Sequence, residues 1–427
     1  MARRQPSRTS IREWATLAVR KPSTGGRGTV RRGLSQPGRR TFHSASCAVV
    51  RRRLDGVRAV VVGAGIGGLA AAIGLEQAGV EAIVIERAPA LHEAGFGLVV
   101  SANAVTALRS LGLRDGVAAR GTRVRRAEVR NPRGDLLARI DYEGLGWETY
   151  GILRAELQQA MLEAVPAGRL RLTTTCIGAS EDGEAFLDGA DAVVADIVVG
   201  ADGIRSTVRR SLFGEEPLRY GGHRAWRAGT RFDDERVRDR FVEVWGVGGG
   251  FGFGPAGPGR VYWYCFKAVP ERAPAPERPR DEFLRRYGAW FDPIPALIES
   301  TEPDAIEPTF TYDRPPRRSW GRGRVTLLGD AAHPMKPNIG QGAAQALEDA
   351  VALASCVAGV DHAEEALRAY ERRRARRANA VVHASRRAGR VAEVRSPLGA
   401  RVRDTVVKAL PDRVAIAQQR RIVEFRL

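Results

Sequence analysis

The stretch GRVTLLGDAAHPMKPNIGQGAAQALEDA, residues 323–350, decides the fold. It predicts a buried β-strand over 325–328, an acidic turn at Gly329-Asp330, a loop punctuated by Pro334 and Pro337, and a glycine-rich helix start at Gly340-Gln341-Gly342. A strand that ends in a carboxylate and passes into a helix N-terminus sets a hydroxyl acceptor beside unpaired N–H groups. That pairing suits a ligand carrying both hydroxyls and negative charge. His333 stands in the same loop with no partner legible nearby, so it is expected to be satisfied by backbone and is not a candidate catalytic base.

A second glycine turn lies far upstream. GAGIGG, residues 63–68, follows an apolar strand predicted over 59–62 and opens a helix predicted over 69–77, which Gly79 stops. Gly63 permits the tight turn, Gly65 lets a pyrophosphate approach the backbone, and Gly68 allows helix and strand to pack closely, with Ile66 and Gly67 completing the loop. Glu86, at the end of the next strand (82–86), is placed to accept hydrogen bonds from an adenosine ribose. A third motif, VVGADGIRS at 198–206, puts Asp202-Gly203 between a buried strand and a helix. Alone, an Asp-Gly after a strand is an ordinary turn; here it can line a dinucleotide channel without side-chain obstruction. Two glycine grips so far apart in sequence imply one long cofactor held at both ends, and FAD is the expected cofactor.

The 427 residues are 44% hydrophobic, enough for two or three domains with large cores. The net charge of +19 resembles a nucleic-acid footprint, but it is unevenly placed. Residues 1–57 hold 14 Lys and Arg against Glu13 and Asp55, leaving 54 basic and 47 acidic residues to the other 370. Most of the excess therefore precedes the recognisable fold, and no nucleic-acid partner is expected. The Arg-rich, Ser-rich, acid-poor segment 1–56 is compatible with a transit peptide, with translated upstream sequence, or with a basic tail. Cys47, Cys176, Cys265 and Cys356 form no C-x-x-C pair, so neither a metal site nor a disulfide framework is indicated and a reducing, cytoplasmic setting is expected. The longest apolar run, 59–75, has 17 residues and five glycines, too short for a membrane span.

Between the motifs, a helix is expected around Val105, Leu108 and Leu111, a hairpin over 127–142 with its turn at 131–134, a helix over 154–165, and strands over 170–176 and 197–199. Residues 220–269 are aromatic and β-rich: Tyr262, Tyr264 and Phe266 share one strand face, Trp263 and Cys265 the other. The Pro-rich stretch 269–280 reads as an exposed loop before a helix near Asp281, and ERRRARR at 371–377 reads as a solvated helix face. The fold class is thus α/β: a Rossmann-like FAD-binding domain (57–125, 147–213 and 313–360) with an interrupting mixed or antiparallel β-sheet substrate domain (126–146 and 214–312), and C-terminal helices (361–427).

In combination, GAGIGGL, DGIRS and LLGDAAHPMKPNIGQG, in this order, resemble the class A flavoprotein monooxygenases, among them salicylate and urate hydroxylases and zeaxanthin epoxidase. The similarity runs from about residue 57 to 394. The phrases GFGLVVSANAVTALRSLGL (95–113) and ILRAELQQAML (152–162) also look like this family, which implies that Arg154 touches FAD and that Asn103 and Arg87 lie near it. The resemblance further implies reduction of FAD by transient NADH or NADPH, reaction with O2 to a flavin hydroperoxide, and transfer of one oxygen to an electron-rich aromatic ring or alkene. The substrate would lie between flavin and sheet, where Trp226, Phe251, Phe253, Tyr262, Trp263 and Tyr264 are the pocket candidates. A flavin oxidoreductase that inserts no oxygen is the alternative, with Asp202-Gly203 weighing against it. The chain is expected to act as a monomer or homodimer.

Overall fold

The computed structural model describes residues 57–91, 95–359 and 362–425. The expectations for segment 1–56, and for Cys47 within it, lie outside the described residues.

Five strands form a parallel sheet in the order Val325–Leu327, Ile197–Gly200, Arg58–Val62, Glu81–Ile85, Leu170–Arg171. The central strands RAVVV and IVVG are buried on both faces, which explains why they read as unbroken apolar runs instead of alternating. Val62 pairs with both Gly200 and Ile85, and Gly200 pairs with Leu327, so the strands finish level. Gly63, Glu86, Asp202 and Asp330 consequently leave the sheet along one edge, the carboxyl ends where open α/β sheets bind ligands. Over the sheet, the helices Ile66–Gln77 and Gly342–Val357 cross at close range. A Cβ at Gly74 would stand 3.1 Å from the Ala354 methyl, so glycine and alanine set that separation.

A seven-stranded mixed sheet follows the order Glu307–Asp313, Arg219–Arg231, Arg260–Ala268, Gly249–Pro255, Arg240–Trp245, Arg126–Arg130, Leu136–Asp141. It is antiparallel except where Arg240–Trp245 runs parallel to Arg126–Arg130. The Asn131–Gly134 turn forms because the Asn131 side-chain oxygen accepts from the Arg133 and Asp135 N–H groups and Gly134 takes φ +89°. Helices Pro279–Tyr287 and Ile294–Glu299 cover one face of this sheet. The helix Ala363–Ala392, 30 residues and about 45 Å long, braces the cofactor-side loops, and Pro397–Ala409 and Asp412–Val423 follow it.

Several boundaries differ from the sequence reading. The first helix starts at Ile66, directly after Gly65, because the glycine turn itself supplies the opening residues. The helix expected to reach residue 165 ends at Leu162, with Pro166 downstream disfavouring helical geometry at its predecessor. The strand expected over 170–176 is two strands: Leu170–Arg171 joins the parallel sheet, while Cys176–Ala179 pairs with Glu184–Leu187, itself paired with Ala190–Val194, in a small antiparallel sheet. The exposed face expected at 371–377 is a correction too: Glu371, Arg374 and Ala375 are buried. Among the described residues no helix is long and apolar enough to cross a membrane.

Candidate functional site

At the first glycine turn, Gly63 takes φ +102° and its N–H donates to the Ile85 carbonyl at 2.8 Å, tying the turn to the neighbouring strand. Glu86 braces it from the other side: Oε2 accepts from the Ala64 N–H at 2.8 Å and Oε1 from the Ala88 N–H at 3.0 Å. A Cβ on Gly68 would collide with the Gly63 carbonyl oxygen, and one on Gly67 would lie 2.8 Å from Leu328 Cδ2, whereas one on Gly65 would meet nothing within 4 Å. Two glycines are therefore demanded by packing, and Gly65 faces open space. Ile66 is buried beneath the turn and Arg87 is exposed beside it.

At the second motif, Asp202 Oδ2 accepts from Thr207 N–H (2.7 Å) and hydroxyl (3.0 Å), capping the helix Thr207–Phe213. Its other oxygen, Oδ1, is buried with no hydrogen-bond partner. Gly203 beside it, at φ +77°, again has nothing near its missing Cβ. The same helix carries Arg209, a residue the sequence reading passed over. Buried at 3% exposure, Arg209 donates to the Ala331 and Ala332 carbonyls at 2.9 and 3.1 Å and pairs with Glu216, locking this segment to the Asp330 turn.

Asp330 is exposed, yet its carboxyl is pushed up by desolvation, partly offset by His333, Arg154 and Arg227. Water reaches it while protein surrounds it, which describes a side chain deep in an open cleft. The loop beyond is tethered to the long helix: Ser385 Oγ donates to the Lys336 carbonyl at 2.6 Å and Asn338 Nδ2 to the Ser385 carbonyl at 3.0 Å. Pro337 and Gly340 are its exposed points, Gly340 at φ +62°. The helix Gly342–Val357 opens next to Asp330, with a Cβ at Gly342 only 3.9 Å from its Oδ1. Replacing Asp330 with alanine is expected to leave apo-protein melting no lower, because its carboxylate takes no hydrogen bond among the described residues, and to weaken FAD retention about tenfold or more. Flavin content against dilution in gel filtration checks this.

Beneath that helix start lies a buried polar network that the sequence reading missed. Asn103 donates to Gln341 Oε1 (2.9 Å) and Glu348 Oε1 (2.7 Å), and Gln341 donates to Ser101 Oγ (2.9 Å). Arg374 then bridges Glu348 (2.5 Å) and Asp349 (2.7 Å), all three at most 1% exposed. Asn103 and Gln341 thus point into the framework, and Gln341 is left to offer backbone. His333 also departs from expectation: its partner is Asp349, Nε2 to Oδ2 at 2.5 Å, not backbone. Burial pushes Asp349 up, but His333 and Arg374 outweigh it and hold the carboxylate below its usual range. The legible signal was Glu348-Asp349 inside the otherwise apolar run GAAQALEDAVALASCV, a pair that demands a buried cation.

The mixed sheet sorts the pocket candidates by face. Trp226, Phe251, Phe253 and Trp263 form one cluster with Phe283 and Tyr287 of the covering helix, each at most 3% exposed. These four are sheet core, a correction that follows from period-2 alternation: they point away from Tyr262 and Tyr264. The opposite face carries Phe241, Glu243 and Trp245, then Gly250, Gly252 and Gly254, then Tyr262, Tyr264 and Phe266, in cross-strand register. Rings lie flat over the glycines: a Cβ at Gly254 would meet Phe241 at 2.7 Å, and one at Gly252 would overlap the Tyr264 ring. Phe241 stacks on Tyr264 at 6.2 Å, Tyr264 on Phe266 at 6.4 Å, and Tyr262 adjoins Phe96 at 6.5 Å. Arg227 lies over Phe96 at 5.1 Å, and its charge is felt at Asp330, so this aromatic floor adjoins the nucleotide cleft.

The residues fit a dinucleotide with an extended ring: open space at Gly65 and Gly203, an orphaned buried acceptor on Asp202, a desolvated carboxylate at Asp330, and an aromatic floor beyond. That architecture is the one expected of an FAD-dependent enzyme. The chain belongs to the family described as FAD binding domain, matched over residues 56–385, and to its class A flavin monooxygenases. It is 37% identical over 384 residues to aurachin C monooxygenase/isomerase of Stigmatella aurantiaca, covering 87% of this chain and 98% of the relative. It is 34% identical to 2-heptyl-3-hydroxy-4(1H)-quinolone synthase of Pseudomonas aeruginosa strain PAO1 (83% and 94% covered). The crystal structure of Klebsiella pneumoniae HpxO complexed with FAD and uric acid superposes with TM-score 0.80 at 27% identity, covering 86% of this chain and 96% of HpxO. The protein is an FAD-dependent monooxygenase.

Proposed function

We propose that the enzyme uses NADH or NADPH and O2 to hydroxylate a small, electron-rich aromatic ring seated on the floor formed by Phe241, Tyr262 and Tyr264. The observation that carries this reading is the glycine-backed aromatic face. Rings lying flat on a glycine-backed sheet present a planar face on which a planar substrate can stack, and Arg227 on that face is near enough for its charge to be felt at Asp330. FAD, when bound, supplies the transfer of electrons from the nicotinamide and the activation of O2.

The chain's own residues position the reactants. Gly63, Gly65, Ile66, Gly67 and Gly68 form the pyrophosphate turn, and Glu86 with Arg87 holds the adenosine end. Arg154, Asp202, Gly203 and Gly329 line the middle of the groove, where Asp330 accepts from hydroxyls. Pro337, Gly340 and the backbone of Gln341 and Gly342 face the ring, the 16-residue helix lending its positive end to negative charge that develops there. Asn103 acts through Gln341. The division into a cofactor domain at 57–125, 147–213 and 313–360 and a substrate domain at 126–146 and 214–312 follows this split of tasks. The buried, free Cys176 and Cys265 support a reducing, cytoplasmic location.

The test is oxidation of NADH and NADPH in air against a panel of phenols, aminophenols, quinolones and urate, with product masses recorded. Stimulated oxidation with a product about 16 mass units heavier is the expected result. Stimulated oxidation without any oxygenated product across the panel contradicts the proposal and favours an oxidoreductase that inserts no oxygen.

A further inference from the structure

Within the aromatic floor sits one carboxylate that neither the framework nor the cofactor groove uses. Glu243 lies on the strand Arg240–Trp245 between Phe241 and Trp245, and the cross-strand row through it reads Glu243, Gly252, Tyr264, Arg227. Its Oε1 accepts from Trp245 Nε1–H at 2.8 Å, and the Tyr264 hydroxyl is its other hydrogen-bonding neighbour. Glu243 forms no ion pair among the described residues and is partly exposed, and desolvation pushes its carboxyl up, partly offset by its hydrogen bonds with Trp245 and Tyr264. A neutral side chain could satisfy an indole N–H without the cost of desolvating an unpaired charge. With two neutral donors engaged, a carboxylate still has acceptor sites free. The Tyr264 ring itself covers Gly252, and Glu243, partly exposed, stays open to a ligand lying against that ring.

We infer that Glu243 is a specificity-determining residue which binds the ring N–H or O–H of the substrate through a charge-assisted hydrogen bond. It thereby selects donor-bearing, uncharged heteroaromatics such as 4(1H)-quinolones over aromatic carboxylates, whose negative charge it would repel. The bond also leaves more electron density on the ring that receives oxygen. This inference rests on the proposed aromatic floor as the substrate site.

Binding of 4(1H)-quinolone and its N-methyl analogue to the FAD-loaded enzyme, followed by perturbation of the flavin absorbance, tests it. The wild type should prefer the N–H probe by about tenfold or more, Glu243→Ala should reduce that preference to near unity, and benzoate should bind the alanine variant better than the wild type. Glu243→Gln keeps an acceptor for Trp245 and should fold as the wild type does while losing much of the preference. A preference unchanged in both variants, or no binding of either quinolone to the wild type, overturns the inference. Oxygenated product from any other panel substrate would still uphold the monooxygenase reading, so the two fail separately.

Discussion

Leucine at position 65 is expected to leave apo-protein melting unchanged and to abolish FAD retention, whereas alanine at position 68 is expected to destabilise the protein before cofactor is involved. The two glycines sit in the same turn and answer to different partners. Around Gly65 an added Cβ meets no protein atom within 4 Å, and its φ of −70° is open to any residue. Added bulk there fills only the space through which a pyrophosphate would approach the helix N-terminus. At Gly68 even a methyl group overlaps the Gly63 carbonyl oxygen and touches Ala201. Backbone of a strand-to-helix turn cannot rotate aside as a flexible side chain can, so overpacking costs at least ~1–3 kcal/mol. Differential scanning of apo and FAD-loaded protein separates the cases: Gly65→Leu loses the ligand-induced rise in Tm, and Gly68→Ala lowers Tm in both.

Arg374→Met should be the most damaging single change outside the cofactor groove, costing about 3–5 kcal/mol at neutral pH. Arg374 bridges Glu348 and Asp349 and also donates to Gln345 Oε1 at 2.8 Å. Its removal takes the shared guanidinium from two fully buried carboxylates and leaves each a single cationic partner, Arg377 for Glu348 and His333 for Asp349. Lysine would not restore the arrangement, because a point charge cannot span both acceptors as the guanidinium does. The sign of the pH dependence follows from Asp349, whose folded pKa is depressed. Its contribution is complete above the unfolded carboxylate value near 4 and disappears as pH falls through the folded value. The gap between wild type and variant, measured by urea unfolding, should therefore be widest near pH 7 and narrow towards acid. FAD affinity should fall as well, since the same network fixes Gln341 at the mouth of the helix.

Much of the nucleotide groove was legible because its chemistry is local. GAGIGG, Glu86, Asp202-Gly203 and Gly329-Asp330 each sit at the end of an apolar strand, and a parallel sheet with level ends gathers them on one edge without long-range information. The second sheet was legible as a sheet but not in its facing. Alternation says that Trp263 opposes Tyr262 and Tyr264; which side packs against Phe283 and Tyr287 depends on where residues 279–299 fold back, and no local signal encodes that. Arg374 was hidden for a different reason. In ERRRARR it is one arginine among five, and only the companion acids 25 and 26 residues upstream single it out. His333 likewise needed Asp349, about two helical turns into a segment that reads as ordinary apolar helix.

Turnover under ¹⁸O2 in ordinary water, with the first substrate found to stimulate NADH or NADPH oxidation, shows whether the inserted oxygen comes from O2. The expected product carries one labelled oxygen and is about two mass units heavier than the product made in air. A product that draws its oxygen from water, or nicotinamide oxidation that yields only reduced oxygen and unchanged substrate, would contradict the monooxygenase reading.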